Sequence, residues 1–331
     1  MIRVLCLLGV QDSGEVRAEQ LANGALHIQF HGSEDFLRHL PRNSGLKVTK
    51  ALLLGKGRTR ARPRFDEADV VVNAIADPDA CRLALEEAES LLAQTRVPVI
   101  NHPSRVLQTT RDGIAARLVG VEGIEIPRTL RLSPRRLAEV ESLAGSGEVT
   151  YPFLFRPAGT HGGTQLDLIR EPGELAALEK YPFDGRDYYM TEFVDFRSAD
   201  GLYRKLRVFV VDGEPFIRHR IVSDHWNIHQ DSRNRLMAGD PALQAEEARF
   251  VSSFRPEAFP ALKTIHERVG LDYFAIDGAL REDGKLLVFE VNAGAKLALS
   301  GQPLPRHVQS IVRATRQMLR HRASPPARER A

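Results

Sequence analysis

Apolar residues gather into short unbroken runs in the first third of the chain and into alternating runs later. Residues 2–10, ALLLG at 51–55, ADVVVNAIA at 68–76 and VPVI at 97–100 read as buried strands, because a strand covered on both faces has no polar side to alternate with. Between the last two, Asp79 to Gln94 has helical spacing. Asp77-Pro78-Asp79 supplies the start of that helix, since a carboxylate near the first free amides and a Pro in the first turn are both favoured. Strand, helix, strand predicts a parallel α/β lobe. Gly9 and Gly14 do not form G-x-G-x-x-G, so a dinucleotide site in this lobe lacks its fingerprint.

Beyond NHP at 101–103, Val106–Val119 and Pro134–Leu143 read as helices, and GSGEVTYP at 145–152 marks a boundary. From Phe153 the texture changes to strands, hairpins and charged loops. Pro303 to about Arg320 is again helix-like, and ASPPARERA reads as a loose tail.

Two Asp-Gly dipeptides flanked by β-rich runs predict hairpins. In the second, FAIDGALRE and KLLVFEVNA flank Asp283-Gly284. With those two residues as the loop, counting outwards sets Asp277 opposite Glu290, and Asn292 shares their face because side chains alternate with period two. Like charges facing each other across a sheet destabilise it. A hard cation reverses the sign of that cost, and magnesium takes oxygen ligands of this kind while sharing the rest with phosphate. The spacing therefore predicts a metal site, with a solvent-facing amphipathic hairpin as the plainer alternative. A loop one residue longer would shift the register and part the pair.

In the first hairpin, YRKLRVFVV and EPFIRHRIV flank Asp212-Gly213. The same counting sets Arg207 opposite Arg218 and Lys205 opposite Arg220, with Leu206, Val208, Val210, Ile217, His219 and Ile221 on the other face. Four cations on one face repel unless an anion lies among them, and the guanidinium fork suits phosphate or carboxylate oxygens. A solvated basic face balanced by surface acids is the alternative.

Composition narrows the classes. At 331 residues the chain is long for one domain, and 43% hydrophobic with 27% charged residues is ordinary globular composition. Forty-six Lys and Arg against 43 Asp and Glu leave only +3 with the signs interspersed, so totals do not imply a nucleic-acid surface. The apolar opening is too short to span a membrane. Cys6 and Cys81 lack metal-ligand spacing, and two thiols in so long a chain predict a reducing, cytoplasmic setting without a structural disulfide. His225 and His229, four apart beside Trp226, have no Cys or H-E-x-x-H companion; zinc, a substrate pocket and plain packing stay open for them.

Asp277, followed by Glu290-Val291-Asn292 in VFEVNA, resembles the C-terminal signature of the ATP-grasp superfamily, an acid on one strand and E-x-N on the next. The resemblance runs from about Asn101 to Leu299. NHPSRVLQTTRDGIAARL looks like that superfamily's first helix, YPFLFRPAGTHGG like the strand and glycine loop over the phosphates, and MTEFVD like the linker between its subdomains. RPAGTHGG, DGLYRKLRVFVVDG and SDHWNIHQ look like a branch often joined to tetratricopeptide repeats, although no such repeat occurs in this sequence. One position departs from the pattern. Arg156 stands where a Lys is usual, and its fork is wider and always charged.

The resemblance implies α/β and α+β architecture: an ATP-grasp fold with an N-terminal parallel α/β lobe over 1–101. A helical central segment over 102–150, a nucleotide-binding subdomain over 151–195, a metal-bearing C-terminal subdomain over 196–302 and a helix with tail over 303–331 follow from it. It also implies ATP and Mg2+, with Mn2+ as a substitute. Arg111, Arg156, Lys205, Gly162 and Gly163 would meet phosphate; His161 would touch phosphate or acyl group, or cap a turn. Glu192, Phe193 and Val194 would meet adenine, and Asp200 or Asp195 the ribose. Asp277, Glu290 and Asn292 would hold the metal, and Arg207, Arg218 and Arg220 the transferred phosphoryl and acyl oxygens.

The implied activity is carboxylate–amine ligation through an acyl phosphate, acting on small-molecule carboxylate and amine or peptide substrates. A nucleotide-binding protein without turnover and a phosphotransferase are the alternatives. An RNA- or peptide-binding module built on the basic hairpin would leave the acidic hairpin unexplained. Homodimers are common in the superfamily, though nothing in the sequence reports an interface.

Overall fold

The four apolar runs form one parallel sheet in a computed structural model, which describes residues 1–20, 24, 26–41, 43–59, 62–163, 165–229, 232–297 and 304–324. Pro303, Leu299, Gln230 and the expected tail from 325 lie outside the described residues. Strands β1 (Ile2–Gly9), β2 (Leu46–Leu53), β3 (Val70–Asn73) and β4 (Val99–Ile100) lie in the order β2-β1-β3-β4. Helix α1 (Arg82–Leu92) buries Ala84, Leu85, Ala88 and Leu92 against Leu5, Leu7 and Val71. On the other face Val4, Cys6, Val70 and Val72 pack on Val308, Ile311 and Met318 of the C-terminal helix Val308–Ala323. Cover on both faces is what lets β1 and β3 be apolar, whereas β2 lies at the sheet edge and is mostly exposed: of the run expected to be a buried strand at 51–55, Leu53 is core but Leu52 and Leu54 face solvent. Cys6 and Cys81 are buried free thiols, and burial pushes Cys6 up to about 12.

Asn101 follows β4 directly, in the left-handed region at φ 55° and wholly buried. Its Nδ2 donates to the carbonyls of Tyr273 (2.6 Å) and Ala293 (3.1 Å), and its Oδ1 accepts from the N–H groups of Asp272 (3.0 Å) and Tyr273 (2.9 Å). A buried amide is stable only when its donors and acceptor are served in this way. Here Asp272 and Tyr273 open one strand of another sheet, and Ala293 directly follows the end of its neighbour.

The helix expected over Val106–Val119 is broken. One turn covers Pro103–Val106, and α2 (Arg111–Leu118) starts afresh at Thr110, whose hydroxyl accepts from Gly113 N–H (3.2 Å). Strands β5 (Ile124–Glu125) and β6 (Thr129–Leu132) and helix α3 (Leu137–Gly145) follow. A second, antiparallel sheet joins β6 to β7 (Phe153–Pro157), β8 (Asp167–Ile169) and β9 (Tyr188–Glu192) in the order β8-β7-β9-β6. Val140 and Ala144 of α3 pack there on Phe153, Phe155, Tyr188 and Met190.

The third sheet contains β10 (Tyr203–Val211), β11 (Glu214–Ser223), β12 (Tyr273–Leu280) and β13 (Leu286–Asn292), with α4 (Pro241–Ser253) and α5 (Ala261–Val269) between the hairpins. Its order is β11-β10-β12-β13-β5, and only β13–β5 is parallel. Leu206, Val208, Val210, Ile276 and Val288 bury one face against Leu262, Ile265 and Val269 of α5 and Ile114 of α2. The period-two alternation leaves the polar side chains on the opposite face, towards the second sheet. Among the described residues no helix is long and apolar enough to cross a membrane.

Candidate functional site

The β12–β13 loop is one residue longer than the Asp283-Gly284 dipeptide suggests. Glu282, Asp283 and Gly284 (φ 82°) form it, with Arg281 N–H donating to Lys285 O (2.8 Å) and Gly284 N–H to Arg281 O (3.0 Å). Leu280 therefore pairs with Leu286, a register that by itself would set Asp277 opposite Phe289. A bulge at Phe289 absorbs the extra residue, so Asp277 faces Glu290 and Ala275 faces Asn292. Gly278 makes the close approach possible, because a Cβ there would lie 2.4 Å from Leu287 O.

The β10–β11 loop has the expected two residues, and Val211 faces Glu214. The counted register holds as far as Val208 opposite Ile217. There a bulge makes Arg218 the additional residue, and the pairs become Arg207–His219, Leu206–Arg220 and Lys205–Ile221. Three expectations are corrected by that single shift: Arg207 does not face Arg218, Lys205 does not face Arg220, and His219 and Ile221 lie on the side of Arg207 and Lys205. Arg220 leaves that side. Its guanidinium lies 3.2 Å from Glu246 and 4.5 Å from the ring centroid of Phe250, both on α4.

The outcome is a row across four adjacent strands: His219 on β11, Arg207 on β10, Asp277 on β12 and Glu290 on β13. Asp277 is fully buried and takes Arg207 Nε at 2.5 Å, Arg207 Nη2 at 2.7 Å and Lys205 Nζ at 2.8 Å. Burial opposes ionisation of Asp277, but Arg207 and Lys205 outweigh it and hold the carboxyl below its usual range. Glu290 pairs with Arg111, the first residue of α2, and accepts from Asn292 Nδ2 at 3.0 Å. Burial is again outweighed, by Arg111 and then Lys205, and Glu290 titrates well below an ordinary Glu. Arg207, Lys205 and Arg111 thus balance the repulsion between the two acids.

This row borders a cavity of about 690 Å³ between the second and third sheets. Ile126, Leu154, Phe193, Val194 and Phe196 form an apolar part of its wall, whereas Arg111, Arg156, Lys205, Arg207 and Arg218 form a basic part. His161, Gly162, Gly163, Glu192 and Asn292 line it as well. Glu192 accepts from Thr150 Oγ1 (3.2 Å), and Phe193 N–H already donates to Pro152 O (2.9 Å). Asp195 and Asp200 are not brought to the cavity. Both are exposed, and Asp200 pairs with Arg204 at 2.6 Å.

Arg156 has no ion-pair partner among the described residues. Its Nε and Nη2 donate to Thr160 Oγ1 (3.1 and 3.0 Å), tying the β7 strand to the glycine loop. Burial, with Arg111 adding to it, lowers its pKa to about 10. His161 Nε2 lies 2.6 Å from Asp77 Oδ2 in the first lobe, and this hydrogen bond raises the imidazole pKa. Gly163 (φ 68°) passes against His229, where a Cβ would fall 1.6 Å from Nε2. His225 and His229 share no helix, because 224–227 is a bend; only His229 lines the cavity, and the His225 ring packs 5.3 Å from that of Trp226. No group of three His, Cys, Asp or Glu among the described residues is placed to hold a metal, so a zinc site at these histidines has no support in the fold.

The sequence reading missed what the first lobe contributes. Asp77 and Asp79 read only as a helix start, yet both line the cavity, and Asp79 accepts from Arg131 Nη1 (2.8 Å) and Tyr189 OH (2.9 Å) of the second sheet. Two acids flanking a Pro at a strand's carboxyl end were the available signal, since ligands gather at that edge of α/β sheets.

No family model and no curated protein matches the chain by sequence. By structure it is similar to the D-alanine–D-alanine ligase from Bacillus anthracis complexed with ATP, at TM-score 0.55 and 14% identity over 98% of this chain and 97% of that one. The D-alanine–D-alanine ligase from Coxiella burnetii gives 0.56 and 13%, over 98% and 95%. A RimK domain ATP-grasp protein from Sphaerobacter thermophilus gives 0.53 and 15%, over 95% and 98%. Likeness at such low identity carries the fold and nothing finer: this chain has the ATP-grasp fold, mixed α/β with an N-terminal parallel lobe.

Proposed function

We propose that the protein is an ATP- and magnesium-dependent ligase that joins a carboxylate to an amine through an acyl phosphate. The observation that carries this reading is the row His219, Arg207, Asp277, Glu290 beside a cavity with one basic and one apolar stretch of wall. Its volume lies within the roughly 300–1,000 Å³ typical of small-molecule sites. Proteins of the same fold have been crystallised with ATP, the B. anthracis ligase among them.

The donors fit magnesium. Asn292 Nδ2 and Glu290 Oε1 stand 3.0 Å apart. Turning the amide over places an oxygen at that distance, and two oxygens about 2.9 Å apart span one edge of the octahedron magnesium demands. Asp277, Glu290 and Asn292 would hold the ion, or manganese in its place. The ion offsets charge on the nucleotide's phosphates.

The remaining work falls to the chain's own side chains. Arg111 and Lys205, paired with Glu290 and Asp277 in this structure, would also serve phosphate oxygens. Arg156 orders the glycine loop through Thr160, so that Gly162 and Gly163 present backbone amides to phosphate. Glu192 and the Val194 backbone meet the base, because the Phe193 N–H is taken by Pro152. Arg207, fixed by Asp277, faces the oxygens that gain charge as a substrate carboxylate attacks the γ-phosphorus and ADP departs. The amine then attacks the acyl carbon, phosphate leaves, and the nitrogen gives up a proton. No nucleophilic side chain is needed.

Arg156 in place of Lys, spent partly on Thr160, favours a second reading: nucleotide binding without turnover. Incubation with ATP, magnesium and pooled carboxylates and amines separates the readings. ADP together with an amide supports the ligase; a phosphorylated product without amide supports a phosphotransferase. Bound nucleotide without ADP formation supports the second reading.

A further inference from the structure

Three cations on the cavity wall form no ion pair among the described residues: Arg156, Arg218 and Lys296, the last two feeling Glu247 and Glu34 only from further off. Arg156 is part of the glycine-loop anchor. The other two line the same cavity where the segment after β13 passes the bulge of β11: Arg218 Nε donates to Leu297 O at 2.7 Å, the residue next in sequence to Lys296. The bulge is held from a second direction too, with His307 Nε2 2.9 Å from Arg218 O. A bulge braced on both sides aims its side chains in a fixed direction, which is the common use of bulges beside binding sites.

With Nε taken, the two Nη nitrogens of Arg218 present one planar edge and make no hydrogen bond among the described residues. Burial, Arg233 and Arg207 all work against the charge of Arg218 and lower its pKa. Its neighbour His219 is kept neutral by burial and by Arg207 and Arg218, so it adds a hydrogen-bonding group without another charge. A half-buried guanidinium whose nearest acid, Glu247, is already paired with Arg233 gains from a bound anion. The row already assigns Arg207 to the reacting carboxylate, which leaves this edge for a different group.

We infer that Arg218 and Lys296 form an anion subsite apart from the phosphate path, and that the acid substrate carries a second carboxylate held there. The donor class is dicarboxylic acids, acidic amino acids included, because a planar two-nitrogen edge matches a carboxylate. This rests on the ligase reading, in which the first carboxylate is the one phosphorylated.

The test is calorimetric titration of the full chain with glutarate and with butyrate, which differ by one carboxyl group, in magnesium and a non-hydrolysable ATP analogue. Glutarate should bind on the order of tenfold to a hundredfold tighter. In Arg218→Ala that ratio should collapse towards one through loss of glutarate affinity alone. Lys296→Ala, at an exposed position where folding is not at stake, should narrow it severalfold. Glutarate no tighter than butyrate, including neither acid binding, overturns the subsite. So does an equal loss of both acids in Arg218→Ala, or an unchanged ratio in both variants. Failure of the ATP analogue to bind the parent protein defeats the ligase reading instead, and the same pair of acids titrated without nucleotide then decides the subsite.

Discussion

The two hairpins of the third sheet carry the same Asp-Gly signal and one bulge each, but the bulges have opposite consequences. In β12–β13 the loop has one residue more than the dipeptide implies, and the bulge at Phe289 cancels it. In β10–β11 the loop is as short as expected, so the bulge at Arg218 is uncompensated and exchanges the faces of His219 and Arg220. Register counted from a turn therefore holds only to the first bulge. Both bulges fall where the strands reach the cavity, which is where re-aimed side chains are useful.

The largest expected effect strikes the acidic hairpin. Asp277→Ala would leave Arg207 and Lys205 in a poorly hydrated site without their counter-charge, at a cost of ~3–5 kcal/mol in a urea denaturation experiment. An unchanged midpoint would mean that the acid is not where the compensating bulge puts it. Next comes the contrast within the basic hairpin. Arg207→Ala should lower turnover by ~100- to 1,000-fold, the scale of losing one aimed donor at a reacting oxygen. Arg220→Ala, on the opposite face, should change stability by about 1 kcal/mol or less and leave turnover within about twofold. Equal kinetic losses in the two variants would restore the uncorrected register.

Glu290→Gln sharpens the other half of the comparison. It should weaken magnesium-dependent nucleotide binding by about tenfold or more, the worth of one charged ligand; isothermal titration yielding the parent affinity would remove Glu290 from the site. The smallest effect concerns pH. His219 has its pKa held well below 6.5 by burial first and then Arg207, so the unfolded chain takes up a proton as pH falls through 6.5 while the folded chain does not. Stability then declines on the acid side. His219→Gln should lose less melting temperature between about pH 7 and 5.5 than the parent chain does. Identical slopes would mean that His219 is not buried beside Arg207.

Elements with a strong period were legible in the sequence. The parallel sheet was legible in its apolar runs, although the one at 51–55 lies on a mostly exposed edge strand, and the third sheet in two alternating hairpins, because each pattern has one economical way to bury its apolar side. The facing of Asp277 and Glu290 was legible only because two deviations offset each other. Bulges left no mark in the sequence read alone: Gly278, which makes room for one, looks like any strand glycine. The helix break before α2 could be read only from Thr110 as a cap. Asp77 and Asp79 escaped for a different reason. A helix start explains both locally, and only tertiary packing turns them towards His161, Arg131 and Tyr189.

Asn101 makes the first and third sheets one mechanical body. Its amide is shared with the residues that open β12, and the C-terminal helix lies against both sheets. Besides the chain's own crossings at 126–128 and 193–196, the second sheet is fastened to that body near the cavity by side-chain contacts, among them Asp77 on His161 and Asp79 on Arg131 and Tyr189. Opening the cavity is then least costly as the swing of a roof over a fixed floor. The floor carries the acids, Arg207 and Arg218; the roof carries the glycine loop and the linker strand. On the proposed function, a nucleotide held chiefly by the roof would be uncovered first and an acid gripped by the floor would stay behind, so such a swing would set an order of departure.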